Sequence, residues 1–145
     1  MLELTEERGA YETGAYKHSE LTQRIIHEFY GVYNALGYGF LEKVYENSLA
    51  LRLRKCGLSV RQQQPISVYF DGSVVGEYFA DIVVDDLVLL ELKATADLTP
   101  EHEAQLLNYL RATQYEVGLL LNFGPKPRVN RKMFENRLKP NLRGS

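Results

Sequence analysis

The stretch YFADIVVDDLVLLELKA, Tyr78 to Ala94, reads as two apolar strands joined near Asp85-Asp86, with Asp81, Glu91 and Lys93 set inside them. Charges seldom enter such strands alone, because desolvating an unpaired charge costs on the order of several kcal/mol or shifts its protonation. The three charges are therefore turn and edge decoration, an internal ion-pair network, or a metal site with a cation beside it.

Alternation along a strand puts Glu91 and Lys93 on one face. Whether Asp81 joins them depends on the turn. A strict two-residue loop at Asp85-Asp86 sets residue 84 opposite 87 and residue 81 opposite 90, which sends Asp81 to the other face. An odd loop or a bulge brings it round. Two carboxylates then converge and suit Mg²⁺ or Mn²⁺, which prefer oxygen ligands and keep several waters. The carbonyl of Leu92 could supply a further ligand. Such an ion polarises a phosphodiester oxygen and lowers the pKa of a bound water. Lys93 would stabilise the negative charge of the transition state or orient the attacking water.

Working outward, Leu21, Ile25, Ile26, Phe29, Val32, Tyr33 and Leu36 recur at helical spacing after Ser19, the expected cap, and before Gly37, the expected stop. A second helix is expected from Phe40 to Lys55, with Leu41, Val44, Tyr45, Leu49 and Leu53 inward and Gly57 just past its end. Glu42 lies one turn from Tyr45 and can share its face, although a surface position paired with neighbouring charges fits the spacing as well. Val60–Gln64 reads as an edge strand or loop. Ile66, Val68 and Phe70 lead into Asp71-Gly72, a hairpin signal. Val74–Val84 and Leu87–Ala94 are the next strands. Thr99-Pro100 starts a helix ending near Thr113, in which Gln105 and Tyr109 share a stripe with His102 one turn earlier. The plain alternative for that stripe is a solvated polar face. Val117–Phe123 reads as a buried strand, parallel to an earlier one. The order α-α-β-β-β-α-β implies a single α/β or α+β domain around a mixed sheet.

The bulk numbers agree. The chain has 145 residues, 45% of them hydrophobic and 25% charged, an ordinary soluble composition. No apolar run approaches the roughly 20 residues of a membrane span, and the polar, acidic N-terminus is unlike a signal peptide. The single cysteine, Cys56, rules out an internal disulfide and a Cys-based zinc cage, so a cytoplasmic protein is expected. Residues 1–17 are expected to form a loose arm. Net charge is −2, yet residues 126–143 carry seven basic residues against one acidic, and a short helix is expected around Arg131–Leu138. Arg52, Arg54, Lys55 and Arg61 form a second basic cluster.

Gly39-Phe40-Leu41-Glu42-Lys43-Val44-Tyr45 resembles the GxxExxY signature of the GxxExxY proteins, a group within the PD-(D/E)XK nuclease superfamily. Asp81 matches the lone acid of the superfamily pattern, and Glu91-x-Lys93 its E-x-K. Glu42 corresponds to the glutamate of the first core helix, and Gln105-x-x-x-Tyr109 is similar to the Q-x-x-x-Y motif of the RecB-like branch. The resemblance covers roughly residues 19 to 124, with Ala80 rather than proline before Asp81. It implies a restriction-endonuclease-like αβββαβ core, a mixed central sheet flanked by helices, with an extra N-terminal helix. It further implies a metal-dependent nuclease that hydrolyses phosphodiester bonds of DNA, or of RNA. Asp81, Glu91, Glu42 and the Leu92 carbonyl would hold Mg²⁺ or Mn²⁺. Lys93, Glu91, Asp81 and Gln105 would be catalytic, with Tyr45 and Tyr109 as supports. Lys126, Arg128, Arg131 and Lys132 in the basic tail would meet the phosphate backbone, and a homodimer would supply a second site for the second strand. The alternative is a catalytically silent module of the same fold that binds nucleic acid or a protein partner.

Overall fold

The computed structural model describes Leu4–Thr5 and residues 17–143. The elements in order are β1 (Leu4–Thr5), α1 (Ser19–Leu36), α2 (Glu42–Lys55), β2 (Val60–Phe70), β3 (Ser73–Val84), β4 (Val88–Lys93), α3 (Pro100–Arg111), β5 (Val117–Phe123) and β6 (Pro127–Met133), with a 3-10 turn at Asn136–Leu138. The strands form one six-stranded sheet in the order β1-β6-β5-β4-β3-β2. β2, β3 and β4 pair antiparallel in sequence, and β5 pairs antiparallel with β6. The α3 crossover returns β5 parallel to β4, as a strand after a helix should be. The architecture is the α/β, restriction-endonuclease-like one.

Each face of the sheet needs a cover, and the helices divide the work. From α1 and α2, Ile25, Phe29, Leu49 and Leu53 pack on Ile82, Leu90, Leu92 and Leu121. On the other face, Leu106 and Leu110 of α3 meet Val83, Leu89 and Leu120. Full burial of each such side chain contributes roughly 1.5–3 kcal/mol. A capping box starts α3: Thr99 Oγ1 accepts the His102 N–H, His102 Nδ1 accepts the Thr99 N–H, and Pro100 fills the first turn.

Several local expectations are revised. His18, at φ 58°, occupies the N-cap of α1, and Ser19 is already helical. The second helix begins at Glu42 rather than Phe40, and Leu41 and Val44 face solvent at 80% and 37% exposure. Tyr45 sets this phase. Its hydroxyl donates to the Gly37 carbonyl at 2.6 Å and accepts the Phe40 N–H at 3.2 Å, while its ring stacks on Phe123. The inward stripe is consequently Tyr45, Glu46, Leu49, Ala50 and Leu53. β2 runs unbroken from Val60 to Phe70.

The largest revision is at the C-terminal end. Instead of a helix over 131–138, β6 pairs with β5 from Phe123↔Pro127 to Val117↔Met133. Pro127, lacking an N–H, sits where a strand tolerates it, at its first residue. The chain then passes α3: Lys139 Nζ donates to the Thr113 and Tyr115 carbonyls, and the Leu142 carbonyl accepts the Tyr69 N–H. Of the expected loose arm, Leu4–Thr5 instead adds a short parallel strand to β6, Lys17 Nζ pairs with Glu116 at 2.9 Å, and the remainder lies outside the described residues. Among the described residues no helix is long and apolar enough to cross a membrane.

Candidate nuclease site

The decisive turn combines both conditions the sequence left open. Asp85 and Asp86 are left-handed, at φ 52° and 54°, and the Leu87 N–H closes the turn on the Val84 carbonyl. Leu87 is then an extra residue, so the register is Val84↔Val88, Val83↔Leu89 and Ile82↔Leu90. One step further, Asp81 stands opposite Glu91.

There β3 and β4 part. Ile82↔Leu90 is their last pair, and β3 continues with β2 alone. Ala80 packs into the core under α3 while Ile82, two residues on, packs under α1 and α2, so the usual alternation breaks at Asp81. Parting strands strand their backbone donors, and buried N–H groups need acceptors. The two acids supply them across the fork: Glu91 Oε1 accepts the Asp81 N–H at 3.1 Å, and Asp81 Oδ2 accepts the Leu92 N–H at 2.7 Å. The contact observed at Leu92 is through its amide.

Two further residues, absent from the sequence-based set, belong here. Gln63 faces Asp81 where the β2–β3 ladder skips a pair between Gln62↔Ile82 and Gln64↔Ala80. It is left-handed, at φ 53°, a costly conformation for a side chain of its kind. Its amide donates to Glu46 Oε1 at 2.8 Å and to Asp81 Oδ1 at 3.3 Å. Glu46, 4% exposed, also accepts from Gln62 and Lys43. Glu46 lies four residues after Glu42, so helical spacing could have found it. The backbone of Gln63 carried no comparable signal. Glu42 opens to solvent at the start of α2, but partial burial, then the charges of Asp81 and Glu46, raise its pKa, with Lys93 acting the other way.

Burial is also the first cause that pushes Glu91 up to about 8, with the Asp81 charge adding to it. Asp81 is raised by burial and by Glu46, against the Leu92 hydrogen bond. Lys93 follows Glu91 on β4, and its charge opposes these shifts. Just past Lys93, Asn122 holds Thr95 at two points, accepting its N–H at 3.1 Å and donating to its carbonyl at 3.0 Å. On α3, Gln105 Nε2 donates to Tyr109 Oη at 2.9 Å, and Tyr109 is pushed up to about 12 by burial and the Glu91 charge.

A family model described as PD-(D/E)XK nuclease superfamily matches residues 19–134. The chain belongs to the PD-(D/E)XK nuclease superfamily. No curated protein and no solved structure matches the chain.

Members of this superfamily typically use divalent metals, and the donor set here is compatible with one. Among the described residues no three His, Cys, Asp or Glu side chains are grouped as a ready-made cation cage. Mg²⁺ rarely has such a cage; it takes one or two carboxylates and fills its shell with waters and substrate phosphate. Asp81 and Glu91 are hard oxygen donors, and burial raises both pKa values, with the Glu46 charge adding to it at Asp81 and the Asp81 charge at Glu91, a cost that a divalent cation would offset.

The sheet divides the four tail cations expected to meet phosphate. Lys126 is exposed in the β5–β6 turn, and Arg128 pairs across from Asn122, itself opposite Lys93; both lie at the site's end of the sheet. Arg131, three residues from Arg128, points to the opposite face and is 1% exposed, with its guanidinium donating to the Lys17 carbonyl. It is not presented to a phosphate backbone. Lys132 lies down the sheet and pairs with Glu103 of α3 at 2.9 Å. In the second cluster, Arg52 pairs with Glu28, Arg54 with Gln62 and Arg61 with Asp86.

Proposed function

We propose that this chain is a divalent-cation-dependent nuclease hydrolysing phosphodiester bonds of DNA, with RNA as the second substrate to test. The observation that carries the reading is the fork: Asp81 and Glu91 meet where the strands part, with Lys93 on the same strand end and the Gln105–Tyr109 pair beside them. Hydrolysis joins a water oxygen to phosphorus and releases one ester oxygen as an alcohol, so negative charge builds on the phosphoryl oxygens. The Lys93 ammonium offsets that charge. Asp81, Glu91 and Glu42, with the Leu92 carbonyl, would hold Mg²⁺ or Mn²⁺, which supplies Lewis acidity and neutralises charge. Gln105 positions substrate or water, Tyr109 holds the Gln105 amide, and Tyr45 fixes the phase of the helix that carries Glu42. Lys126 and Arg128 contribute phosphate attraction at the same end of the sheet. Cys56, a lone thiol, suits a reducing compartment such as the cytoplasm.

The test is incubation with single-stranded, duplex and branched DNA and with RNA, in Mg²⁺, Mn²⁺ or EDTA, beside Lys93→Ala. Cleavage that needs the cation and fails in Lys93→Ala supports the reading. Cleavage equal in EDTA, or equal in the variant, sinks it. Binding without cleavage on every substrate leaves the silent binding module as the function.

A further inference from the structure

Beyond the fork, β3 leaves β4 and continues with β2 as a two-stranded arm from Gln64↔Ala80 to Phe70↔Ser73. Between this arm and α3 lies a cavity of about 560 Å³, inside the ~300–1,000 Å³ range of small-ligand sites. Val68, Val75, Ala112 and Leu142 give it apolar walls, and Leu142 is held in place by the Tyr69 N–H. Tyr78 and Tyr109 add aromatic surface, their ring centroids 5.6 Å apart. Tyr78 is 46% exposed. A Cβ on Gly76 would come 3.1 Å from the Tyr78 ring, so the ring lies back over this glycine.

The polar edge is sorted by the bonds already made. Gln105 uses its amide N–H on Tyr109, leaving its carbonyl oxygen as an acceptor. Asn108 accepts from Arg111, leaving its NH₂ as a donor. His102 Nδ1 accepts the Thr99 N–H, so the neutral ring carries its proton on Nε2, a second donor. Among the described residues no Lys or Arg lines the cavity, and Glu101 does. A phosphate is therefore a poor occupant. A flat ring with apolar faces and a mixed donor–acceptor edge is a good one.

We propose that this cavity takes one unpaired nucleobase of the substrate, so that the protein acts on single-stranded nucleic acid or on a strand with an extruded base. The proposal rests on the nuclease reading above and names the substrate class of that site. Tyr109 joins the two: it walls the cavity, and the Glu91 charge reaches its hydroxyl. On this reading a base seated against Tyr78 and Tyr109 would belong to a nucleotide near the phosphate at the fork. In a duplex, stacking and pairing use the faces and edge that the cavity needs, so a paired base must first leave the helix.

The test uses the intact protein with Ca²⁺ in place of Mg²⁺ and a short single-stranded oligonucleotide carrying 2-aminopurine, against its blunt duplex. Val75→Trp fills the cavity from an exposed position, and Tyr78→Ala removes the stacking face; circular dichroism checks that both fold. The expected result is preferential single-strand binding, a change in 2-aminopurine fluorescence on binding, and about tenfold or greater weakening in each variant. Equal affinity for the blunt duplex, or unchanged single-strand binding in both folded variants, overturns the proposal. Failure separates from that of the nuclease reading. Duplex cleavage unaffected by Val75→Trp sinks the pocket alone, whereas variant-sensitive binding without cleavage sinks the nuclease alone.

Discussion

Asp81 and Glu91 each satisfy a backbone amide across the fork between β3 and β4: Glu91 Oε1 takes the N–H of Asp81, and Asp81 Oδ2 takes the N–H of Leu92. The acids therefore serve the fold, apart from the chemistry proposed for them. Truncating either one to alanine leaves a stranded donor, a loss of roughly 1–3 kcal/mol.

The same pair makes stability depend on pH. Burial first, and the Asp81 charge second, push Glu91 from 4.5 to about 8. The native state then binds more protons than the unfolded state between those values, so the Glu91 contribution is complete below about 4.5 and is lost as pH rises through about 8. Asp81 and Glu42 are shifted in the same direction. Lys139, pushed down to about 8 by burial, acts only above this window. In EDTA, the melting temperature should fall between about pH 5 and 8, Glu91→Gln should flatten that fall, and Mg²⁺ should restore the loss at high pH. Calorimetry across pH decides it; identical slopes in wild type and Glu91→Gln would refute the assignment.

Lys93→Ala should lower the cleavage rate by about 10²–10³-fold, the usual loss when a group that stabilises developing charge is removed. Oligonucleotide binding in Ca²⁺ should change far less. Single-turnover rates beside anisotropy titrations separate the two effects.

Gln63 can be tested by two substitutions with opposite demands on the backbone. Gln63→Gly relieves the left-handed conformation, worth about 1–2 kcal/mol, while removing the amide that joins Glu46 to Asp81. Its stability should stay within about 1 kcal/mol of wild type, and on the metal-binding role proposed for Asp81, activity should drop about 10–100-fold. Gln63→Ala loses the amide and keeps the strain, so it should be the less stable of the two in urea denaturation.

Gly124→Ala tests the support behind Lys93. An added Cβ would lie 1.8 Å from the Thr95 carbonyl oxygen and 2.9 Å from Asn122 Nδ2, inside the clamp that holds the end of β4. A loss of at least about 1–3 kcal/mol is expected from the forced backbone shift. Thermal denaturation within error of wild type would show that the clamp yields easily.

Much of this was legible in the residues. Helical spacing after Ser19, the Thr99-Pro100 start, the Asp71-Gly72 turn and the apolar runs around Asp81 and Glu91 have local causes, and the elements form where those causes lie. The acids, Lys93 and the Gln105–Tyr109 stripe were likewise visible as spacing. The phase of α2 was not, because a hydrogen bond from Tyr45 to Gly37 and a ring stack on Phe123, far along the chain, turn Leu41 and Val44 outward and Glu46 inward. Nor was the C-terminal strand, since Pro127–Met133 becomes β only because β5 offers an open edge. That same pairing buries Arg131 and leaves Lys126 exposed at the site.

By itself the sequence determined that Asp81, Glu91 and Lys93, candidates for a nuclease site, lie on adjacent strands. Only the tertiary structure decided that they meet. The extra residue Leu87 shifts the register so that Asp81 reaches Glu91, and the parting of β3 from β4 leaves amides that only those carboxylates are placed to accept. Register is a property of two strands together, and a one-residue slip sends a side chain to the other face.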